Sequence, residues 1–125
     1  MIEAGSVCIS ITPFYDTTTR KNSFKKRPVF VLGAADSGDF NVLPISRVTN
    51  PRNLDPIYDI QVDPLIYPNL NLTAVSYVRT HKQTVVNKAS LNEISNIKSE
   101  YPDLYTAILD KLEEFNNNLI TNARV

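Results

Sequence analysis

Apolar and small polar side chains alternate at period two along Ser6-Val7-Cys8-Ile9-Ser10-Ile11-Thr12, the pattern of a half-buried strand that Pro13 closes. Phe14 to Lys26 has no such periodicity and reads as a long connection, a kind of segment that is often functional in a compact domain. Pro28-Val29-Phe30-Val31-Leu32 follows as a central strand, because proline lacks an N–H and suits the first position of a strand better than its middle. A turn over Gly33–Gly38 leads into Asp39–Ser46, a second strand held antiparallel by the short link. Pro44 predicts an edge or bulge within it. Residues 47–58 read as irregular, Asp59–Asp63 as a brief strand and Pro64–Leu70 as a crossing segment. Leu72–Val86 is the longest strand candidate, divisible into two by a bend near His81-Lys82.

The period changes in the last third. Ser90-Leu91-Asn92-Glu93 has capping-box spacing and predicts a short helix to about Lys98. Pro102-Asp103 opens a second helix, with proline tolerated at its first position and aspartate favoured at its positive end. Tyr105, Ile108, Leu112, Phe115 and Leu119, flanked by Leu104 and Leu109, form the stripe that packs it on the sheet, while Asn116-Asn117-Asn118 predicts fraying. The expected fold class is mainly β with a C-terminal helix: a small, strongly curved antiparallel sheet or barrel closed by a C-terminal α-helix. One domain is expected over residues 1–125, with the barrel at about 5–88 and the helical part at about 90–122.

Composition adds limits. A chain of 125 residues with 42% hydrophobic content supplies one core, and no run of 18 apolar residues suggests a membrane span. Met1–Gly5 has neither a basic n-region nor a long apolar h-region, so no secretory signal is expected and a cytoplasmic location is. Cys8 sits in an apolar run and reads as a small buried hydrophobe. One His and one Cys do not make a zinc site of the common type, and the three glycines are too scattered for a phosphate-cradling loop, so no metal and no cofactor are expected.

The formal net charge is zero, yet the charge is divided. Residues 1–90 hold ten of the cations and seven of the acids, whereas residues 91–125 hold three and six. Arg20, Lys21, Lys25, Lys26 and Arg27 lie within eight positions, which suggests a polyanion-binding lip. Arg27 stands at the mouth of the central strand, where a guanidinium can fork onto a phosphate or carboxylate. Alternation sets Tyr77, Arg79 and His81 on one face with Val78 inward, so the triplet faces solvent or a groove. Arg79 is expected to brace the structure by pairing with an acid such as Asp59. Tyr77 suits either base stacking or a half-buried place at a dimer seam.

Four motifs in order, Gly5-Ser6-Val7, Arg27-Pro28-Val29-Phe30-Val31-Leu32, Leu43-Pro44-Ile45-Ser46 and Ser76-Tyr77-Val78-Arg79-Thr80-His81-Lys82, resemble the MazF/PemK toxins of bacterial toxin–antitoxin systems over roughly residues 5–119. The resemblance implies an SH3-like, CcdB-like barrel, a homodimer, and metal-independent cleavage of single-stranded RNA through the ribose 2′-hydroxyl. It also implies neutralisation by a cognate antitoxin protein. Arg27 matches the family's Arg-Pro arginine and Ser46 its small hydroxyl residue. Catalysis is thereby expected of Arg27 and Ser46, and RNA binding of Arg20, Lys21, Lys25, Lys26, Tyr77 and Arg79. Family members carry an acid before the Arg-Pro motif or three places before the Arg-Thr pair; here the first stretch has none and the second position is Ser76. His81, with an ordinary pKa near neutrality, is the substitute candidate for the proton-abstracting role. The alternative is a non-catalytic binding module on the same barrel, an RNA- or protein-binding relative or a CcdB-like gyrase poison. The CcdB-like version fits least, since such proteins rely on a tryptophan near the C-terminus and this chain has none.

Overall fold

The computed structural model describes residues 1–125. Seven strands, β1 (Ser6–Asp16), β2 (Lys21–Asp36), β3 (Asp39–Ser46), β4 (Asp59–Val62), β5 (Ser76–Arg79), β6 (Thr84–Asn87) and β7 (Leu91–Asn96), precede α1 (Ile97–Glu100) and α2 (Pro102–Ala123). All pairings are antiparallel, in the order β4-β5-β3-β2-β1-β7, with β6 also on β3. The sheet curls into a half-barrel with α2 across it, the expected fold class. No helix is long and apolar enough to cross a membrane.

Core side chains cover both faces of β2, as a two-sided strand requires. Phe30 joins Val7, Leu43, Ile45, Val78 and the helical residues Ile97, Leu104 and Ile108 on one face. Val29 and Val31 join Cys8, Val42 and Leu91 on the other. Burying a side chain of the size of Phe30 contributes roughly 1.5–3 kcal/mol. Burial, and secondarily the nearby Glu93 carboxylate, pushes the Cys8 thiol up to about 11. Gly5 holds the start of β1 against α1: its N–H donates to Val31 O at 2.8 Å and its carbonyl accepts from Ile97 N at 2.8 Å. With φ at +91° and Lys98 Cβ only 2.6 Å from where a Cβ would stand, no larger residue fits.

Four expectations change. The connection over Phe14–Lys26 is a ribbon, since β1 and β2 stay in register from Val7–Phe30 out to Asp16–Lys21. Its tip closes because Asp16 Oδ1 accepts from Thr18 N at 2.9 Å and Arg20 takes a left-handed φ of 56°. The turn expected over Gly33–Gly38 shortens to Ser37-Gly38 for the same reason, as β2 continues to Asp36. The helix expected from Ser90 is strand β7. The open edge of β1 takes up Leu91–Asn96, and Glu93 accepts from the Ser6 hydroxyl instead of closing a capping box. The cap is Asn96, whose side chain accepts from Ser99 N at 3.1 Å, so the boundary between sheet and helices falls at residue 96. Finally, α2 does not fray at Asn116-Asn117-Asn118 but runs to Ala123, with Asn118 donating to Tyr58 Oη at 2.9 Å. Its apolar stripe holds through Phe115, which packs on Tyr58, while Leu119 is exposed.

Pro44 marks a change of partner. The outer edge of β3 pairs with β6 from Asp39 to Val42 and with β5 at Ile45 and Ser46, leaving Pro44, which has no N–H to offer, at the handover.

Candidate active site

The β2–β3 ladder ends at Val29–Pro44. Continued one residue at a time, the same register would set Pro28 opposite Ile45, Arg27 opposite Ser46 and Lys26 opposite Arg47. Instead the strands splay. β2 stays with β1, Arg27 beside Ser10, while β3 turns to β5, Ser46 beside Tyr77. The three facing pairs line the wedge left between them, a cleft of about 470 Å³ completed by Ile9, Asn71, Leu72, Thr73 and Ser76.

The lining contains Lys26, Arg27 and Arg47 and no carboxylate or imidazole. No ion pair anywhere in the structure involves these three cations. Arg47 donates to Thr73 Oγ1 at 2.7 Å, which fixes one wall. Ser76 Oγ donates to Ala74 O at 2.9 Å, whereas the half-buried Ser46 hydroxyl makes no hydrogen bond to protein. Unneutralised cations against rigid strand ends, with the free Ser46 hydroxyl beside them, make a site for a tetrahedral or trigonal oxyanion such as a phosphodiester.

Of the residues expected to act, Arg27, Ser46 and Lys26 meet in this cleft. Lys25 lies one position further out, on the opposite face of the ribbon, its ammonium 4.8 Å from the Phe14 ring. Arg20 and Lys21 are at the ribbon tip, about 20 Å along the strand from Arg27. Tyr77 is the cross-strand neighbour of Ser46, half-buried, with its hydroxyl accepting from Gln61 Nε2 at 3.3 Å.

Arg79 and His81 are elsewhere. β5 runs antiparallel to β3, so every residue after Tyr77 carries the chain further from Ser46. Arg79 Nε donates to Asp59 Oδ1 at 3.1 Å and its other end to Asn53 O at 2.8 Å, the brace expected of it. His81 Nδ1 stands 3.8 Å from the same carboxylate oxygen, without a hydrogen-bond partner, and the ring is enclosed by Tyr58 and Phe115. Of the face predicted to meet solvent or a groove, Arg79 is thus taken up by Asp59 and His81 is covered by Asp59, Tyr58 and Phe115. His81 does not reach the Arg27–Ser46 cleft. Beside this cluster, backbone N–H donation from Tyr58, then Ile57, holds the Asp55 carboxyl below the usual range.

Sequence reading did not single out Arg47, Asn71 or Thr73. Arg47 had a signal, a cation directly after the strand-ending Ser46. The other two arrive from the crossing segment, whose path no local pattern indicates.

No family model and no curated protein matches the sequence. The fold is similar to a chain in a crystal structure of MazE–MazF from Deinococcus radiodurans, with a TM-score of 0.62 and 15% sequence identity, over 93% of this chain and 96% of that one.

Proposed function

We propose that this chain is a MazF-like toxin: an endoribonuclease that cuts single-stranded RNA by attack of the ribose 2′-hydroxyl. The observation that carries the reading is the cleft in which Arg27 faces Ser46 with Lys26 and Arg47 beside them and no carboxylate among them. The fold shared with a MazE–MazF chain supports it.

In this reading the scissile phosphate lies between β2 and β3. The 2′-oxygen bonds to phosphorus, the bond to the 5′-oxygen breaks, and the products are a 2′,3′-cyclic phosphate and a free 5′-hydroxyl. Arg27 neutralises the charge that gathers on the non-bridging oxygens, and Ser46 donates to one of them, as preorganised donors do most effectively in such a transition state. Lys26 and Arg47 hold the phosphates on either side. With no carboxylate or imidazole in the lining, the 2′-hydroxyl proton leaves to water or hydroxide and water returns one to the 5′-oxygen. The cleavage rate then rises with pH through neutrality without a bell-shaped maximum. An antitoxin with an acidic or apolar tail would occupy the same cleft, and the active species would be a homodimer.

The test is incubation of a long single-stranded RNA with purified protein in EDTA, beside Arg27→Ala and Ser46→Ala. Discrete fragments ending in cyclic phosphate, lost in Arg27→Ala, are the expected result. The missing base favours one second reading, a binding module without catalysis. Intact RNA with retained, salt-sensitive binding would establish that instead.

A further inference from the structure

We infer that the ribbon beyond the cleft is a base-stacking platform for the single strand whose phosphate the cleft holds, with Phe24 and Tyr15 as its rings; this rests on the reading of the cleft as an RNA site.

The register argues for it. Residues directly opposite in an antiparallel pair share a face, and so does every second pair along it. Starting from Val7–Phe30 in the core, the same face carries Ile9–Pro28 in the cleft, then Ile11–Lys26, Pro13–Phe24 and Tyr15–Asn22. The floor of the cleft therefore runs on, without a break, into two aromatic side chains. They sit diagonally across the ribbon, within reach of each other, and are 64% and 60% exposed. Nothing in the fold covers them. β7 leaves β1 after Ser10 and β3 leaves β2 at Val29, so the outer ribbon has no neighbour on either edge.

The charge specifies the occupant. Lys26 lies on the same face between the cleft and the rings, Lys21 and Lys25 lie on the reverse face, and the only carboxylate on these outer strands, Asp16, is engaged by the amides of Thr18 and Thr19. An aromatic surface backed by cations that lack acid partners fits an unpaired polynucleotide: bases stack on the rings and phosphates lie near the ammonium and guanidinium groups. The platform adds sequence-tolerant grip next to the cleft, where every base offers a π-face.

Two probes of equal length test this by fluorescence anisotropy on the full chain: a 2′-O-methyl RNA strand, which lacks the nucleophile, and an abasic strand with the same phosphates. Phe24→Ala and Tyr15→Ala should each bind the base-bearing strand about tenfold more weakly, with an unchanged salt slope. Their affinity for the abasic strand should not change, and Phe24→Tyr should restore binding. Lys26→Ala should weaken both strands and flatten the salt dependence. Equal affinity of wild type and both alanine variants for the base-bearing strand would overturn the platform while leaving the cleft reading intact. Equal affinity of the wild type for the two strands would do the same. Binding of neither strand by the wild type would overturn the RNA reading, and the platform with it.

Discussion

Arg27 on β2 and Arg79 on β5 are both strand arginines, and the fold treats them in opposite ways. Arg79 donates to both oxygens of the fully buried Asp59 carboxylate and to the Asn53 carbonyl, beside an enclosed His81. Arg27 is exposed at the rim of a cleft with Ser46, and neither side chain has a protein partner. The first arginine has its charge answered from within the chain. The second has no partner within the chain, and on the proposed reading its anion comes from outside. Charge here signals a site only where the fold leaves it unanswered.

Substitutions separate the two. Arg27→Ala should lower RNA cleavage by about a hundredfold or more, the scale of losing one preorganised charge-stabilising donor, with the melting temperature unchanged. Gel assays of fragment yield, paired with a thermal melt, check this. Asp59→Ala should do the reverse. It leaves Arg79 and His81 without their shared carboxylate and destabilises the fold by about 3 kcal/mol, read from urea unfolding. At a temperature where the variant is folded, its RNA affinity should match wild type. Ser46→Ala, which removes one neutral donor, should slow cleavage about tenfold and leave binding nearly intact. The smallest effect belongs to Asp55→Asn, at about 1 kcal/mol or less. The folded carboxyl titrates below its unfolded value, so the ionised group's contribution is present above about pH 4 and fades as the pH falls below that. Unfolding curves of wild type and variant should therefore converge in acid and separate toward neutrality.

Much of this contrast is legible in the sequence. Alternation located β1, the central part of β2, β3 and β4, and the helical stripe located α2, because in each the buried face is written at the period of the element. Arg27 and Ser46 were legible because both flank apolar strand runs that could hardly be anything else. The ribbon was not. Between Phe14 and Lys26 the strands have no core to face, so their pattern is set by pairing with each other and by the Asp16 turn, neither of which leaves an apolar period. β7 was hidden differently: Ser90 and Glu93 carry a helix-start spacing, and the edge of β1 outweighs it by binding Glu93 through Ser6. His81 illustrates a third limit. Asp59 was anticipated for Arg79, but neither the enclosure of His81 beside them nor the course of β5 that carries it away from Ser46 and the cleft has a local pattern.

The handover at Pro44 has a geometric consequence. Arg27 belongs to the panel formed by β1, β2 and the first half of β3, and Ser46 to the panel formed by the end of β3 with β5 and β4. The two panels meet at a crease, and the proline lies on it. What separates guanidinium from hydroxyl is therefore an angle rather than a length, like the opening of a pair of calipers whose pivot is the Val29–Pro44 pair and whose jaws are each two positions along their strands from it. Such an instrument grips objects of one size firmly only if its pivot is stiff, and a ring-locked φ at the pivot supplies that stiffness without any contact to whatever is gripped.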